Sequence, residues 1–326
     1  MLHLRVTCPP GRSAAALAVL RDEPGATNLV LHPGVVLDPA GDLVEADVAR
    51  EAADEVLGRL TALGLTETGS IVLEAVDTAL GRDVERAERE APGEGDDAVV
   101  WDQLERAADG GQTSSASYYA FLVLATLIAA VGLLTDSQVL IVGAMVLGPE
   151  FGPLAAIAIA VVRRRRDLLG GPLRAIGLGF PLAMLVTAGG VWLLQVAGLV
   201  PAEFLTGRRP LTSFVASPDA FSVIVAVLAG VAGTLSLTSS KAGPLVGVFI
   251  SVTTVPAAAD FAAGIVTGQP GTAIGALGQL ALNLVCIVLA AVGTLAAQRW
   301  WWTRVRRAER RRRADRTRVS PRTAGR

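Results

Sequence analysis

The sequence predicts a membrane-embedded all-α bundle of about six transmembrane helices, preceded by an N-terminal α+β domain of the ferredoxin-like type. Strand and helix patterns alternate within residues 1–80, and six apolar stretches follow within residues 117–298. The charge changes sign as well: residues 1–112 hold 22 acidic and 9 basic residues (net −13), whereas residues 113–326 hold 8 and 20 (net +12). Such an asymmetry between two parts of a chain indicates a domain boundary.

Four segments follow from these patterns. We predict a ferredoxin-like cytoplasmic domain over 1–80, a charged helical linker over 81–116, a six-helix transmembrane domain over 117–298, and an arginine-rich cytoplasmic tail over 299–326. The tail is expected to be disordered, because charge of one sign dominates it.

The N-terminal domain shows clear alternation of element types. Period-two patterns predict four strands and 3.6-residue patterns predict two helices, in the order His3–Cys8, Ser13–Arg21 (helix), Asn28–Leu37, Leu43–Val48, Glu51–Leu63 (helix) and Ser70–Val76. The order βαββαβ is typical of a ferredoxin-like sandwich. The acidic residues are spread over exposed faces, so we expect no enzymatic activity. With two histidines and two distant cysteines in the whole chain, we expect neither a metal nor another cofactor.

The apolar stretches account for the transmembrane prediction. A spanning helix needs ~20 mostly apolar residues, and six stretches approach or exceed that length: Tyr118–Leu134, Val139–Val162, Pro172–Val200, Phe221–Leu237, Pro244–Val266 and Thr272–Ala297. The last is followed by Arg299, Trp300, Trp301 and Trp302, which is typical of an aromatic belt at the membrane surface.

Arginines predict the orientation. Arg163, Arg164, Arg165 and Arg166 follow the second stretch, and twelve arginines follow the sixth. Both groups should face the cytoplasm, which places both termini on the cytoplasmic side of a multi-pass inner-membrane protein. Arg208 and Arg209 would then lie outside and oppose this bias. The tail arginines favour attraction to anionic lipids over binding of nucleic acid, because they directly follow a span.

The two halves of the membrane region resemble each other. GLLTDSQVLIVGAMVLGPEFGPLAAIAIAV and GTLSLTSSKAGPLVGVFISVTTVPAAADFAAGI each contain a span, a hydroxyl-bearing turn and a long span interrupted by proline. Three spans per copy would give a 3+3 inverted repeat, which points to a transporter-type site at the broken helices. Chance similarity between helices rich in Ala, Gly and Val is the alternative.

Glu150 is the strongest candidate for function. It lies within the second span, between Pro149 and Pro153, where prolines release backbone carbonyls and favour an opening of the helix. A charged group inside the hydrocarbon costs ~2.5–3.5 kcal/mol, which makes a functional role worth testing. A carboxylate beside free carbonyls suits a cation or a proton. The alternative is a structural glutamate bonded to nearby backbone groups.

Other candidate pathway residues flank or interrupt the spans: Asp136, Ser137, Thr253, Thr254, Pro256, Asp260 and Asn283. Asp136 and Ser137 lie in the turn before the second span, where capping of that helix would explain both. Asp260 lies four residues after Pro256, near enough to the end of its span to reach interfacial water. For Asn283, a hydrogen bond to another helix is the commoner role.

Two longer motifs resemble a known family. LIAAVGLLTDSQVLIVGAMVLGPEFGPL resembles the first signature of the bacterial membrane family called Domain of Unknown Function 389. LVGVFISVTTVPAAADFAAGI, followed by ALNLVCIVLAAV, is similar to its other recurring stretch. The resemblance implies a polytopic inner-membrane protein, and it brings no established activity.

These observations favour a secondary transporter or channel for an ion or small solute, with its site at the broken spans two and five. The alternative is a membrane sensor or scaffold that transports nothing and whose cytoplasmic domain binds a ligand or partner. An intramembrane enzyme is disfavoured, because no nucleophile–base set or carboxylate pair is visible in the spans. We also expect a homo-oligomer.

Overall fold

The computed structural model of the protein describes residues 1–76, 78–91, 101, 104, 115–216, 219–238 and 254–319, with side chains for all of these except 214, 216 and 306–319. The chain divides into two compact units. The first comprises Met1–Gln103, Thr238–Ser240 and Gln298–Arg326, and the second comprises Leu104–Leu237 and Lys241–Ala297.

The first unit is built on a four-stranded antiparallel sheet of order β2-β3-β1-β4. Its elements are β1 (Leu2–Cys8), α1 (Pro10–Arg21), β2 (Ala26–Leu37), β3 (Ala40–Val48), α2 (Arg50–Ala62), α3 (Leu65–Thr68), β4 (Ser70–Ala75) and α4 (Arg82–Glu90). The strands and the two longer helices follow the order predicted from the sequence. The one-turn helix α3 was not predicted.

The core of this unit lies on one face of the sheet. Leu2, Leu4 and Val6 of β1 are buried with the apolar face of α2, whereas the intervening residues of β1 point to the opposite face, as the alternation of a strand requires. Gly69 precedes β4 at a close approach of two backbones. A Cβ at this position would lie 1.9 Å from the carbonyl oxygen of Thr7, so only glycine fits.

The second unit is made of apolar helices. They are α5 (Ala116–Leu134), α6 (Gln138–Leu147), α7 (Phe151–Arg163), α8 (Gly170–Val196), the one-turn α9 (Ala202–Leu205), α10 (Ala220–Thr238), α11 (Thr254–Val266) and α12 (Pro270–Val319). The last residue of α10 and the residues of α12 after Ala297 belong to the first unit. Among the described residues, four helices are long and apolar enough to cross a membrane, and the bent pair α6–α7 could supply a fifth span. The described part of the predicted fifth stretch is the short apolar helix α11, so the count of six stays a prediction.

The predicted interruption of the second stretch is confirmed. Helix α6 ends at Leu147, α7 begins at Phe151, and the two axes meet at 50°. Pro149 lies in the break and has no N–H to continue the hydrogen bonds of α6. Pro153 is the third residue of α7, where its missing N–H removes no bond, because the first N–H groups of a helix have no partner within it.

The C-terminal helix is longer than predicted. α12 continues from the sixth apolar stretch through Arg299 and the three tryptophans to Val319. Residues 299–319 lie within α12 and residues 320–326 lie outside the described residues, so the disorder of the tail stays a prediction. Neither Gly nor Pro occurs between Gly293 and Pro321, and arginine and alanine both favour helix. The predicted linker 81–116 contains α4, and most of the rest of it lies outside the described residues.

Candidate functional site

Glu150 and Thr254 bring two helix ends together. The Thr254 hydroxyl donates a hydrogen bond of 2.5 Å to Oε1 of Glu150, across 104 residues of sequence. Glu150 is 1% exposed and Thr254 is 0% exposed. Glu150 immediately precedes α7, and Thr254 is the first described residue of α11. Two segments that the sequence predicts to be corresponding parts of a repeat therefore meet at this carboxylate.

Each of the two helices contains a proline near this contact. Pro153 is the third residue of α7, and Pro256 follows Thr254 by two residues in α11. The N-terminal end of a helix carries about half a positive charge, because its first N–H groups have no partner within the helix. The Glu150 side chain makes no capping bond to α7. Its carboxylate thus lies beside the N-terminal end of α7 and bonds to the hydroxyl from α11.

Tyr118 of α5 extends this polar cluster. It is buried, and the carboxylate of Glu150 is near enough to act on its phenol electrostatically. The phenolic oxygen has no hydrogen-bond partner among the described residues. Gly179 of α8 provides the room for the ring, since a Cβ there would lie 3.1 Å from Cε1 of Tyr118. A buried carboxylate, hydroxyl and phenol in one cluster can hold a cation or pass a proton.

The walls around this cluster are apolar and closely packed. α11 packs against α5 and α8, and its residues Val255, Ala257, Ala258 and Ala259 are fully buried. Small side chains let helix backbones approach one another. These apolar surroundings contribute few polar groups, so Glu150, Thr254 and Tyr118 are the side chains that can bind a cation or a proton there.

A second buried polar contact lies further along α11. Asp260 is 0% exposed and forms an ion pair with Arg209, which is 6% exposed. Both terminal nitrogens of the guanidinium donate to the carboxylate, at 2.7 Å from Nη1 to Oδ1 and 3.4 Å from Nη2 to Oδ2. The guanidinium also lies 4.8 Å from the centre of the Phe204 ring. The expectation that Asp260 reaches interfacial water is therefore wrong.

Arg209 is the residue that sequence reasoning missed. It was counted among the outer arginines that oppose the predicted orientation, although burial and pairing remove it from water. Arg208 beside it is exposed. The available signal was the pair of arginines between the third and fourth apolar stretches, but the choice between Arg208 and Arg209 depends on the backbone path of the connection.

The residues of the first predicted turn behave differently from each other. Ser137 caps α6, with its hydroxyl accepting from the N–H of Leu140 at 3.5 Å. Asp136 does not cap that helix, and this part of the prediction is wrong. Its backbone has φ +48°, which turns the carboxylate to accept from the Thr212 hydroxyl at 2.8 Å and from the Leu211 N–H at 3.2 Å.

The remaining candidates are placed as follows. Asn283 is fully buried, and its side-chain oxygen accepts from Gln279 of the same helix at 3.3 Å. Thr253 lies outside the described residues. Arg163 ends α7, and Arg164 after it has a left-handed backbone conformation. Arg165 pairs with Asp167 and lowers the pKa of that exposed carboxyl, chiefly through their hydrogen bond, while Arg166 begins the short 3₁₀ turn that follows.

The aromatic belt is part of α12. Trp300 and Trp301 are exposed, whereas Trp302 is buried. Arg304 lies over the Trp300 ring at 3.7 Å, within the range of a cation–π contact. Arg299 begins this group within the helix. The order of exposure follows from the helix, which turns successive side chains through about 100°.

The first unit carries a separate polar cluster on the face of its sheet opposite the core. His3 and Asp47 form a hydrogen bond of 2.8 Å. Arg5, His3 and His32 all lie within 4 Å of the carboxylate of Glu45. These side chains are partly exposed, so solvent screens their interactions. The described residues hold no cluster of three or more His, Cys, Asp or Glu able to bind a metal ion.

The apolar helices, the break between α6 and α7 and the buried polar pairs define a helical protein of the membrane-embedded class with an N-terminal α+β unit. Residues 145–289 match the family described as "Domain of unknown function (DUF389)", which confirms the resemblance stated from the sequence. Glu150, Arg209, Thr254 and Asp260 all lie within the matched residues.

An uncharacterised protein of Methanocaldococcus jannaschii is similar to the chain. The two are 26% identical over 223 residues, which is 67% of this chain and 65% of the relative. The matched region therefore spans a little less than two thirds of the relative's length. No solved structure gives a significant match.

Proposed function

We propose that the protein is a secondary transporter or channel for an ion or small solute, with its site where α7 and α11 meet at Glu150. The observation that carries the proposal is the hydrogen bond from Thr254 to the Glu150 carboxylate. It joins two proline-containing helices from the two halves of the membrane region. Binding sites at broken helices near the middle of a bundle are typical of transporters.

The chemistry of the cluster favours a proton or a small cation. A buried carboxylate accepts positive charge readily, because an ion in an apolar environment is stabilised mainly by a close opposite charge. A cation or proton at Glu150 would neutralise the carboxylate that accepts from the Thr254 hydroxyl, and a hydrogen bond to a neutral acceptor is weaker. Occupation of the site would then weaken the bond between α7 and α11, which supplies a physical link between binding and movement of one half against the other.

The rest of the architecture belongs to the same proposal. Three spans in each half would form an inverted repeat, with a ferredoxin-like N-terminal domain and both termini in the cytoplasm. The arginines around Arg163–Arg166 and in the tail would face the inner leaflet of the plasma membrane and attract anionic lipids. We also propose a homo-oligomer, and a protein without enzymatic activity or binding of nucleic acid.

Flux through proteoliposomes tests the proposal. The purified full chain is reconstituted into vesicles that contain a pH-sensitive dye, and gradients of H⁺, Na⁺ and K⁺ are applied in turn. E150Q removes the negative charge at constant size and should abolish flux, while its folded amount, measured by gel filtration, stays the same. E203Q is the matched control, because Glu203 is exposed. Absence of any flux in the unchanged protein, or full flux in E150Q, would reject the proposal.

A second function is favoured by the polar cluster of the first unit. Both histidines, Arg5 and two carboxylates share the open face of the sheet, and such a face can bind a ligand or a partner of a sensor or scaffold. A thermal-shift screen of nucleotides, amino acids and divalent cations tests this alternative on the full chain. A ligand whose stabilisation is lost in E45Q and retained in E150Q would favour the sensor.

A further inference from the structure

The connecting segment, residues 201–216 between α8 and α10, is fastened to both halves of the membrane unit. On the side of the first half, Asp136 accepts from Leu211 and Thr212, and the Gln138 amide donates to the Leu211 carbonyl at 3.0 Å. On the side of the second half, Arg209 pairs with Asp260, and the Gln269 amide donates to the Phe204 carbonyl at 3.1 Å.

The three side chains that contact the segment outside the ion pair lie at one end of the unit. Asp136 lies in the turn between α5 and α6, Gln138 begins α6, and Gln269 lies in the turn between α11 and α12. Phe204 and Val215 of the segment are buried in the apolar core of the unit, and the last turn of the segment contacts α11. The connecting segment therefore closes the end of the unit where these turns lie and ties its two halves together.

Stability alone does not explain a buried ion pair such as Arg209–Asp260. Removing two charges from water costs several kcal/mol per ion, and apolar residues of similar volume often stabilise a fold as well or better. The best-attested use of a buried ion pair is to select one arrangement over another. Asp136 is the other charged side chain in the contacts described above, and its hydrogen bonds are exposed or partly buried. The Arg209–Asp260 pair is buried, so it is the contact whose energy changes most when charge changes.

Asp260 also lies on the helix that reaches Glu150. Thr254 and Asp260 are six residues apart on α11, about 9 Å along its axis at 1.5 Å per residue. Among the described charged groups, Arg209 contacts Asp260. Of the elements packed against α11, α5 contributes Tyr118 and Tyr119, α8 contributes the exposed Arg174, and α6 contributes no titratable group. Separation of the pair would therefore leave a buried carboxylate that needs another positive charge.

We propose that the Arg209–Asp260 pair is an exchangeable closure: the connecting segment opens when a proton or a small monovalent cation replaces the Arg209 guanidinium at Asp260. This inference rests on the proposed transport function and identifies Asp260 as a second cation site on the route along α11 to Glu150. In the closed state the Arg209 guanidinium occupies the position at Asp260 that the cation takes in the open state. Opening and uptake of positive charge are thereby coupled at one carboxylate.

Hydrogen exchange of the segment, measured by mass spectrometry on the full chain in nanodiscs, tests the closure without any transport assay. The N–H groups of Thr212 and Ser213 donate to the Arg209 carbonyl, so their exchange reports opening. R209Q should raise the exchange rate of residues 201–216 at least about tenfold, since breaking a buried pair costs several kcal/mol. R208Q is the matched control and should leave it unchanged. Equal hydrogen-exchange rates of residues 201–216 in R209Q, R208Q and the unchanged protein would show that the ion pair does not hold the segment closed.

Two conditions distinguish the sources of positive charge. Lowering the pH from 7.5 to 5.5 at constant salt, with correction for intrinsic exchange, should raise exchange if the proton is the replacement. Exchanging N-methylglucamine for sodium or potassium at pH 7.5 should raise it if a metal cation is. D260N should be insensitive to both. If the hydrogen-exchange rate of the segment in the unchanged protein responds to neither condition, the proposed replacement of Arg209 by a proton or cation is rejected.

A paired apolar variant separates a structural role from this one. R209M/D260L should keep the segment closed and insensitive to pH and cations, and in proteoliposomes its flux should fall at least about tenfold. Normal flux in this variant would show that the pair only holds the fold.

If E150Q abolishes flux while R209Q and D260N leave it unchanged, the inference fails and the transport proposal stands. If the unchanged protein shows no flux, the transport proposal fails, and the exchange measurements still decide whether the closure exists.

Discussion

The Thr254 hydroxyl on α11 donates to the Glu150 carboxylate at the start of α7, 104 residues earlier in the chain. Both side chains are buried, so the bond is shielded from competing water. A hydrogen bond to a charged group contributes about 1.5–3 kcal/mol. The contact is therefore a measurable tie between the two halves of the membrane unit, and its removal leads to the first prediction.

T254V should destabilise the second unit by about 1–3 kcal/mol, because it leaves a buried carboxylate without one donor at nearly constant side-chain volume. T254S retains the hydroxyl and should lose less. Thermal unfolding in nanodiscs measures both. In E150Q the same T254V change should cost less, since the acceptor is then neutral. Equal costs in the two backgrounds would show that the hydroxyl does not act through the carboxylate.

G230A should destabilise the packing of α10 against α12. A Cβ at Gly230 would lie 2.7 Å from the carbonyl oxygen of Ile287 and 2.7 Å from the Ala290 Cβ, so the helices must separate, at a cost of about 1–3 kcal/mol. A Cβ at Gly293 of α12 would meet no neighbouring atom of the described residues within 4 Å, and G293A should be neutral or stabilising by up to about 1 kcal/mol. Thermal unfolding of the two variants checks the difference in sign.

D136A should loosen the connecting segment, because the Leu211 N–H and the Thr212 hydroxyl lose their acceptor. The expected cost is about 1–2 kcal/mol, with faster hydrogen exchange in residues 201–216. D136N should cost less, since asparagine retains one acceptor oxygen and tolerates a positive φ. If D136A and D136N behave alike, the hydrogen bonds to the segment contribute little.

Cys8 should react slowly with iodoacetamide. Burial raises the pKa of its thiol, and the nearby charge of Asp42 adds to the effect. Because the thiolate is the reacting form, a raised pKa means less thiolate at pH 8 and a rate that keeps rising above the pH at which a free cysteine levels off. The measurement uses C286S, in which Cys8 is the remaining cysteine. A rate equal to that of a short unfolded peptide would contradict the prediction.

Much of the fold was predictable from the chain, since it depends on local patterns. The strand boundaries in the first unit and the break at Pro149 follow from side-chain alternation and from the missing N–H of proline. α12 extends to Val319, beyond the apolar stretch Thr272–Ala297, because a span is predicted from apolar residues whereas arginine and alanine also favour helix. Thr254 was predicted as a pathway residue, but its bond to Glu150 depends on how two distant helix ends pack.

The pairing of Arg209 with Asp260 shows where local reasoning stops. Neither residue lies in a motif that specifies the other, and the choice between Arg208 and Arg209 is made by a turn in which the Arg209 N–H bonds to the Gly207 carbonyl. The same limit applies to Asp136. Its position in a turn favoured a helix cap, whereas a positive φ directs its carboxylate toward a segment about 75 residues later.

Burial of Arg209 has a consequence for how the protein is made. Its partner Asp260 follows 51 residues later, and at 5–20 residues per second the ribosome needs roughly 3–10 s to reach it. During that interval the arginine is present and its counter-charge is not. The nascent chain must therefore hold this residue in water until α11 has emerged, which makes the final placement of the connecting segment a late event in biosynthesis.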